Sequence, residues 1–347
     1  MVNLLMKSKL LWPIVVLVVI LLINLIFDPS FFSIDYRNGK LVGSLVDILN
    51  RGAPLILISI GMTLVIATKG IDLSVGSVIA MAGAIGAITV TSIDGEGLGP
   101  LFIAVGLTLI VSIIVGGWNG ILVSRIGVQP IVATLILMVA GRGIAQLITG
   151  GQITTVYYDP YQFLGGGYLF ALPFSIFIVT FVLLLALFLT RRTSLGLFIE
   201  AVGSNPEASR LAGLNSKNIM MMVYMFSGFC AGVGGLILSS NVMSADGNNA
   251  GLWFELDAIL AVVIGGTSLM GGRFNLMGTL IGALIIQSLT TTIYSIGVPA
   301  ETNLVIKAVV VLIVCLLQSP EFRRKIFGTD KVNKNRVKKE SEGVTLS

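Results

Sequence analysis

The stretch Asn241–Asp257, NVMSADGNNAGLWFELD, gathers the side chains best suited to holding a small polar ligand. Asp246, Asn248, Asn249, Trp253, Glu255 and Asp257 combine amides and carboxylates with one indole. Amide and carboxylate groups bond the hydroxyls of a hydroxyl-rich ligand, and an aromatic face covers its apolar C–H side. The same composition suits a docking surface for a soluble partner, or a plain turn with an interfacial tryptophan. Residue types alone leave these three readings open. Asn119, Arg142 and Gln146 add polar groups inside apolar runs and complete the expected substrate pathway. Asn119 and Gln146 also suit hydrogen bonding between helices. An ionised group at mid-helix costs about 2.5–3.5 kcal/mol on insertion scales, so Arg142 needs a partner. Glu255, Asp257 and Glu301 are the candidates, and Lys307 poses the same problem. Asp72, just after Lys69-Gly70, reads as an N-cap at a helix start.

Other chemistry is excluded by what the sequence lacks. There is no histidine, so the commonest general base and transition-metal ligand are missing. Cys230 and Cys315 both fall in apolar runs and make no CxxC pair. No G-x-x-x-x-G-K-[ST] occurs, and the glycine-rich Gly265–Gly272 stretch has no Lys-Ser/Thr to complete one. No nucleophile–base pair or metal cluster can be assembled. The chain is expected to be no enzyme, to hold no metal and to bind no cofactor of its own.

The elements that position these residues are membrane helices. Of 347 residues 55% are hydrophobic and only 11% charged, which places the chain among polytopic membrane proteins. Apolar runs predict helices near 10–27, 53–68, 72–92, 100–122, 129–149, 171–190, 218–240, 256–271, 275–295 and 301–319. Met1–Ile26 reads as the first of them, because no small-residue cleavage site follows it. The fold class is all-α, with a membrane domain over 1–320, a cytoplasmic loop at 191–217 and a basic tail over 321–347. Apart from Arg37, Lys40, Arg51 and the in-span Arg142 and Lys307, every Lys and Arg falls on one side. The positive-inside rule then places both termini in the cytoplasm. The net charge of +5 sits there and in the tail, which suits anionic lipid rather than nucleic acid. The 53–68 and 256–271 runs are short and end in glycine, once in each half of the chain. They suggest an internal repeat with broken helices near 69–72 and 265–275.

The longest cytoplasmic connection carries a second kind of site. Glu200–Leu214, EAVGSNPEASRLAGL, has helix-forming residues, with Pro206 marking a second helical start. Its small residues, among them Ala201, Gly203, Ala208, Ala212 and Gly213, leave a low surface that a partner's groove accepts. An amphipathic loop helix lying on the membrane surface fits the same residues.

Four stretches together carry a family resemblance: IGMTLVIATKGIDLSVGS from Ile60, WNGILVSRIGVQPIVATLILMVAGRG from Trp118, EAVGSNPEASRLAGLN from Glu200 and LDAILAVVIGGTSLMGG from Leu256. From about residue 41 to 319 the chain resembles the permease subunits of ribose-type (carbohydrate uptake 2) sugar ABC importers. LVGSLVDILNRGAP from Leu41 and ADGNNAGL from Ala245 look more like the galactofuranose importer permease than the ribose or xylose members. The resemblance implies a multi-pass protein of a bacterial inner membrane, paired with a second copy or a sibling permease. It also implies ATP-binding subunits, which carry the ATP-Mg, and a periplasmic sugar-binding protein. In the family the segment matching Glu200–Gly213 enters a cleft of the ATPase, and that role passes to Glu200, Ala201, Gly203, Asn205, Pro206 and Gly213. No residue-level sugar site transfers. A branched-chain amino acid permease shares the general plan. An ion-coupled secondary transporter would need an acidic relay at mid-membrane, and the acidic residues read as lying at span ends or in loops.

Overall fold

An apolar run in lipid has no water to satisfy its N–H and C=O groups, so it closes its bonds within a helix. The computed structural model describes residues 11–27, 29–93, 97–297, 302, 304–309, 312 and 316, and they are mostly helical. The helices are α1 (Leu11–Phe27), α2 (Ser44–Ala67), α3 (Val75–Ser92), α4 (Gly99–Ile121), α5 (Pro130–Ile148) and α6 (Asp159–Gly166). They continue as α7 (Phe174–Arg191), α8 (Leu195–Ser204), α9 (Pro206–Leu211), α10 (Ser216–Asn241), α11 (Phe254–Ile264) and α12 (Leu276–Ser295). A π-helical turn, Leu122–Ile126, extends α4. Short strands β1 (Asp35–Arg37) and β2 (Lys40–Val42) form one antiparallel pair. β3 (Thr154–Thr155) pairs with the later β6 (Ser244–Ala245), and β4 (Tyr168–Leu169) with β5 (Leu172–Pro173).

The chain divides into units 1–296 and 297–347. In the second, residues 302, 304–309, 312 and 316 are helical. Lys7, Lys9, Glu301, Cys315 and the whole 321–347 tail lie outside the described residues.

Seven helices among the described residues are long and apolar enough to cross a membrane, against the ten that the apolar runs predict. α1 falls just short at 17 residues, and the tenth run is described only in part. The eighth differs in kind. Helix covers only Phe254–Ile264, 11 residues, or roughly 16 Å at the α-helical rise, about half a bilayer. The 53–68 prediction was too short in the other direction. α2 begins at Ser44 and runs 24 residues through Asp47, Asn50, Arg51 and Pro54. Its polar first turns are held by other elements: Ser175 Oγ donates to Asn50 Oδ1 at 2.5 Å, and Asn50 Nδ2 donates to Asn241 Oδ1 at 3.5 Å.

α10 is the hub, packed against α2, α3 and α4. Close packing without a hydrophobic drive between helices calls for small residues at the crossings. Gly228 of α10 meets Gly116 of α4 so tightly that a Cβ on Gly228 would lie 2.3 Å from Ser112 O. The most apolar window of α2 is 83% buried, and those of α4 and α5 only 28%. α4, α5 and α7 therefore leave much apolar surface uncovered, with Phe102, Val139 and Phe181 exposed on it.

Candidate functional site

Two breaks in the helical pattern meet inside the bundle. The first follows α2. Lys69 turns through a left-handed φ of 64°, and Gly70 N–H bonds back to Val65 O at 3.0 Å. Residues 68–74 then climb back along α2 before α3 begins. Asp72 sits in this climb, buried to 2% exposure, at the level of Ser227 in α10. Its Oδ1 accepts from Ser74 N–H at 3.1 Å and Ser74 Oγ at 2.6 Å, and its Oδ2 from Ser227 Oγ at 2.8 Å. Asn119 Nδ2 donates to Ser74 Oγ at 2.9 Å. The N-cap reading of Asp72 is therefore too small. The side chain does take a backbone N–H at the start of α3, but it also ties the break to α10 and, through Ser74, to α4. Asn119 Oδ1 and the Tyr224 hydroxyl are buried there with no protein hydrogen-bond partner.

The second break precedes α11. From the far end of α10 the segment 242–253 dives inward along α3 and α5. β6 anchors its top to β3. Asp246 Oδ1 accepts the N–H groups of Asn248 and Asn249 at 2.8 and 3.1 Å, and Asn249 Nδ2 donates to Asp246 Oδ2 at 2.8 Å. Partial burial pushes the Asp246 pKa up, but these bonds and the Arg142 charge outweigh it and hold the carboxyl below its ordinary value. Lower down, Gly247 packs on Ala145 and Gln146, and Arg142 Nη1 donates to Ala250 O at 2.5 Å. Gly251, at φ 66°, lies against Gly76, and Trp253, at φ 67°, turns the chain into α11.

The descent puts Glu255 in the interior rather than at the outer start of a span, as the sequence suggests. It is 3% exposed, and its Oε2 lies 2.3 Å from where a Gly76 Cβ would stand. Among the described residues no salt bridge joins Arg142 to Glu255, and Glu301 lies outside them. Arg142 clips the Ala250 carbonyl instead, with the Glu255 and Asp246 charges nearby. Asp72 and Glu255 thus bring two buried carboxyl groups inside the bundle, where an ion-coupled transporter would need them.

Between the 242–253 segment, α3 and α10 lies a half-open cavity of about 410 Å³. It is within the range of small-molecule sites. Ile79, Leu238, Val242 and Phe254 make its walls apolar, while Ser239, Ser244, Asp246 and Asn249 bring polar groups. Of the residues singled out in the sequence, Asp246 and Asn249 reach the cavity; Arg142 and Gln146 support the segment from α5. Asn248 and Trp253 are exposed, Asp257 is half-buried in the first turn of α11, and Asn119 belongs to the Asp72 network. Ser239 and Ser244 were missed, because isolated serines in apolar or turn sequence give no signal.

Arg142→Ala should free the 246–251 turn. The unfolding temperature in detergent should fall, since a hydrogen bond from a charged group contributes about 1.5–3 kcal/mol. Arg142→Lys should restore part of it, and an unchanged unfolding temperature in the alanine variant would show that the clip is idle.

At the opposite end of the bundle lies Glu200–Leu214. α8 and α9 share the hinge residue Asn205, whose Oδ1 accepts from Glu207 and Ala208 N–H, both at 3.1 Å, and caps α9. Pro206 occupies the first helical position, where its missing N–H costs nothing. Gly213, at φ 86°, closes the far end. Ala208, Leu211, Ala212 and Gly213 face outward, Leu211 at 82% exposure; Glu200, Ala201 and Pro206 are half-buried. Gly203 is the exception. It is buried, and a Cβ there would lie 1.8 Å from Ala67 O, so it presents nothing to a partner.

Known proteins match along nearly the whole chain. A galactofuranose transporter permease protein, YtfT of Escherichia coli (strain K12), is 51% identical over 93% of this chain and 94% of its own. A fructose import permease protein, FruF of Bifidobacterium longum, is 41% identical over 91% and 89%. A ribose import permease protein, RbsC of E. coli (strain K12), is 36% identical over 91% and 94%. No solved structure matches. A family model described as branched-chain amino acid transport system / permease component matches residues 44–315, which contain both breaks, the cavity and the α8–α9 hinge. The chain belongs to that family of transport-system permeases.

Proposed function

We propose that this chain is the membrane permease of an ATP-driven sugar importer, with galactofuranose, galactose or a related monosaccharide as its cargo. The observation that carries the reading is the pairing of two sites at opposite ends of one bundle. One is a 410 Å³ cavity with hydroxyl, amide and carboxylate groups on otherwise apolar walls. The other is the projecting α8–α9 elbow. The named substrates of the relatives, galactofuranose, fructose and ribose, are all sugars.

In this reading α8–α9 lies in the cytoplasm, with both termini, and docks on an ATP-binding subunit that carries the ATP-Mg. A periplasmic sugar-binding protein delivers cargo at the cavity end, and a second copy or sibling permease completes the pathway. The chain itself breaks no bond. Nucleotide binding on the partner moves α8–α9, and the two broken segments shift the cavity between outward and inward access. A ligand drives such a switch only by the difference in its affinity for the two states. Weak cargo binding follows, since a tight site would retain the sugar.

Uptake of labelled galactofuranose, galactose, ribose and leucine by cells with and without this gene tests the cargo. Sugar uptake lost on deletion supports the reading; loss of leucine uptake alone would replace it with amino acid transport.

A further inference from the structure

Gly203 was expected to meet a partner, yet its backbone is pressed into the chain's own interior. Two segments distant in sequence, 67–69 and 271–272, converge on it. Ala67 O, at the end of α2, accepts Gly272 N–H at 2.9 Å, from the loop that joins α11 to α12. Lys69, in the turn leading to the Asp72 break, donates Nζ to Ser204 O at 2.9 Å. A Cβ on Gly203 would lie 2.6 Å from Gly272 N as well as 1.8 Å from Ala67 O. A Cβ on Gly272 would lie 2.4 Å from Ser204 Oγ. Glycine at 203 and 272 is therefore what lets three backbones touch.

We propose that this junction is a rivet that carries motion of α8–α9 into both broken segments at once, with Gly203, Gly272 and Lys69 as its positioning residues. One side of the rivet continues through Lys69 to Asp72 and the start of α3. The other continues through residues 265–272 up the half-helix α11 to Glu255. The two routes meet again where Glu255 and Gly251 abut Gly76, at the foot of the cavity. Packed backbones without intervening side chains have little give, so a displacement at the elbow is passed on rather than absorbed. The surface that docks is a different one, the outward face of α9 around Leu211. The inference rests on the transport reading, and it separates residues that dock from residues that transmit.

The test uses the full complex of permease, ATP-binding subunit and binding protein in membranes, scored for three quantities: co-purification of the ATP-binding subunit, ATP hydrolysis and sugar uptake. Gly203→Ala and Lys69→Met should keep co-purification and hydrolysis, while uptake falls about tenfold or more, within the range of coupling changes from single substitutions. Leu211→Asp should instead lose co-purification. Should Gly203→Ala fail to accumulate, Lys69→Met decides, because Lys69 is exposed and its replacement keeps the aliphatic stem. Normal uptake by Lys69→Met, or loss of the ATP-binding subunit together with uptake, would overturn the rivet. Absence of the ATP-binding subunit from the wild-type complex would instead remove the transport reading itself.

Discussion

Gly76→Val should abolish uptake and sharply reduce the amount of folded protein. A Cβ at position 76 would stand 2.3 Å from Glu255 Oε2 and 2.5 Å from Gly251 O. The carboxylate end has some freedom; the Gly251 carbonyl has little, because Arg142 and the Asp246 turn hold the segment just before it. Overpacking of a filled interior costs about 1–3 kcal/mol even where repacking is possible. Here it would also pry α11 away from α3, where the two broken segments touch. Thermal unfolding in detergent and cellular uptake, measured side by side for Gly76→Ala and Gly76→Val, should show a graded loss. An unchanged valine variant would mean that the two segments do not meet at this point.

Asp72→Ala should be the second severe substitution. It strips the acceptor from Ser74 N–H, Ser74 Oγ and Ser227 Oγ, in a place that water reaches poorly. Each buried donor left unpaired costs about 1–3 kcal/mol. Asp72→Asn keeps an acceptor oxygen and should retain much of the stability, so the two variants separate hydrogen bonding from bulk. Equal unfolding temperatures for wild type and the alanine variant would show that the network contributes nothing. Since Ser74 links Asp72 to Asn119, Asn119→Ala should show a smaller loss in the same direction, with one donor removed rather than an acceptor shared by three.

The most regular helices were legible in the sequence. α5 and α10 fall within two residues of the 129–149 and 218–240 runs, because Pro130 and Asn215 mark their starts and the runs between are apolar. The start of α2 was not. Asp47, Asn50 and Arg51 read as loop, and only the bonds of Asn50 to Ser175 and Asn241 explain why helix continues there. The apolar run 256–271 looked like a short span because hydropathy is blind to backbone shape. Left-handed Gly266 ends the helix, Gly271 and Gly272 turn the loop after it, and the preceding segment turns at Gly251 and Trp253. Arg142 has a partner, but that partner is a carbonyl. A carbonyl has no residue type, so nothing in the sequence points to it. Composition located the α8–α9 segment, yet it could not show that Gly203 faces inward while Leu211 faces out.

In the proposed reading, ATP hydrolysis on a partner subunit drives transport. The decisive experiment is uptake of labelled sugar by cells carrying the permease, its binding protein and an ATP-binding subunit, intact or disabled at its phosphate-loop lysine. Uptake should vanish with the disabled subunit and survive brief collapse of the proton gradient while ATP is maintained. Uptake that persists without hydrolysis and collapses with the gradient would contradict it, and would turn the buried Asp72 and Glu255 into candidates for an ion relay.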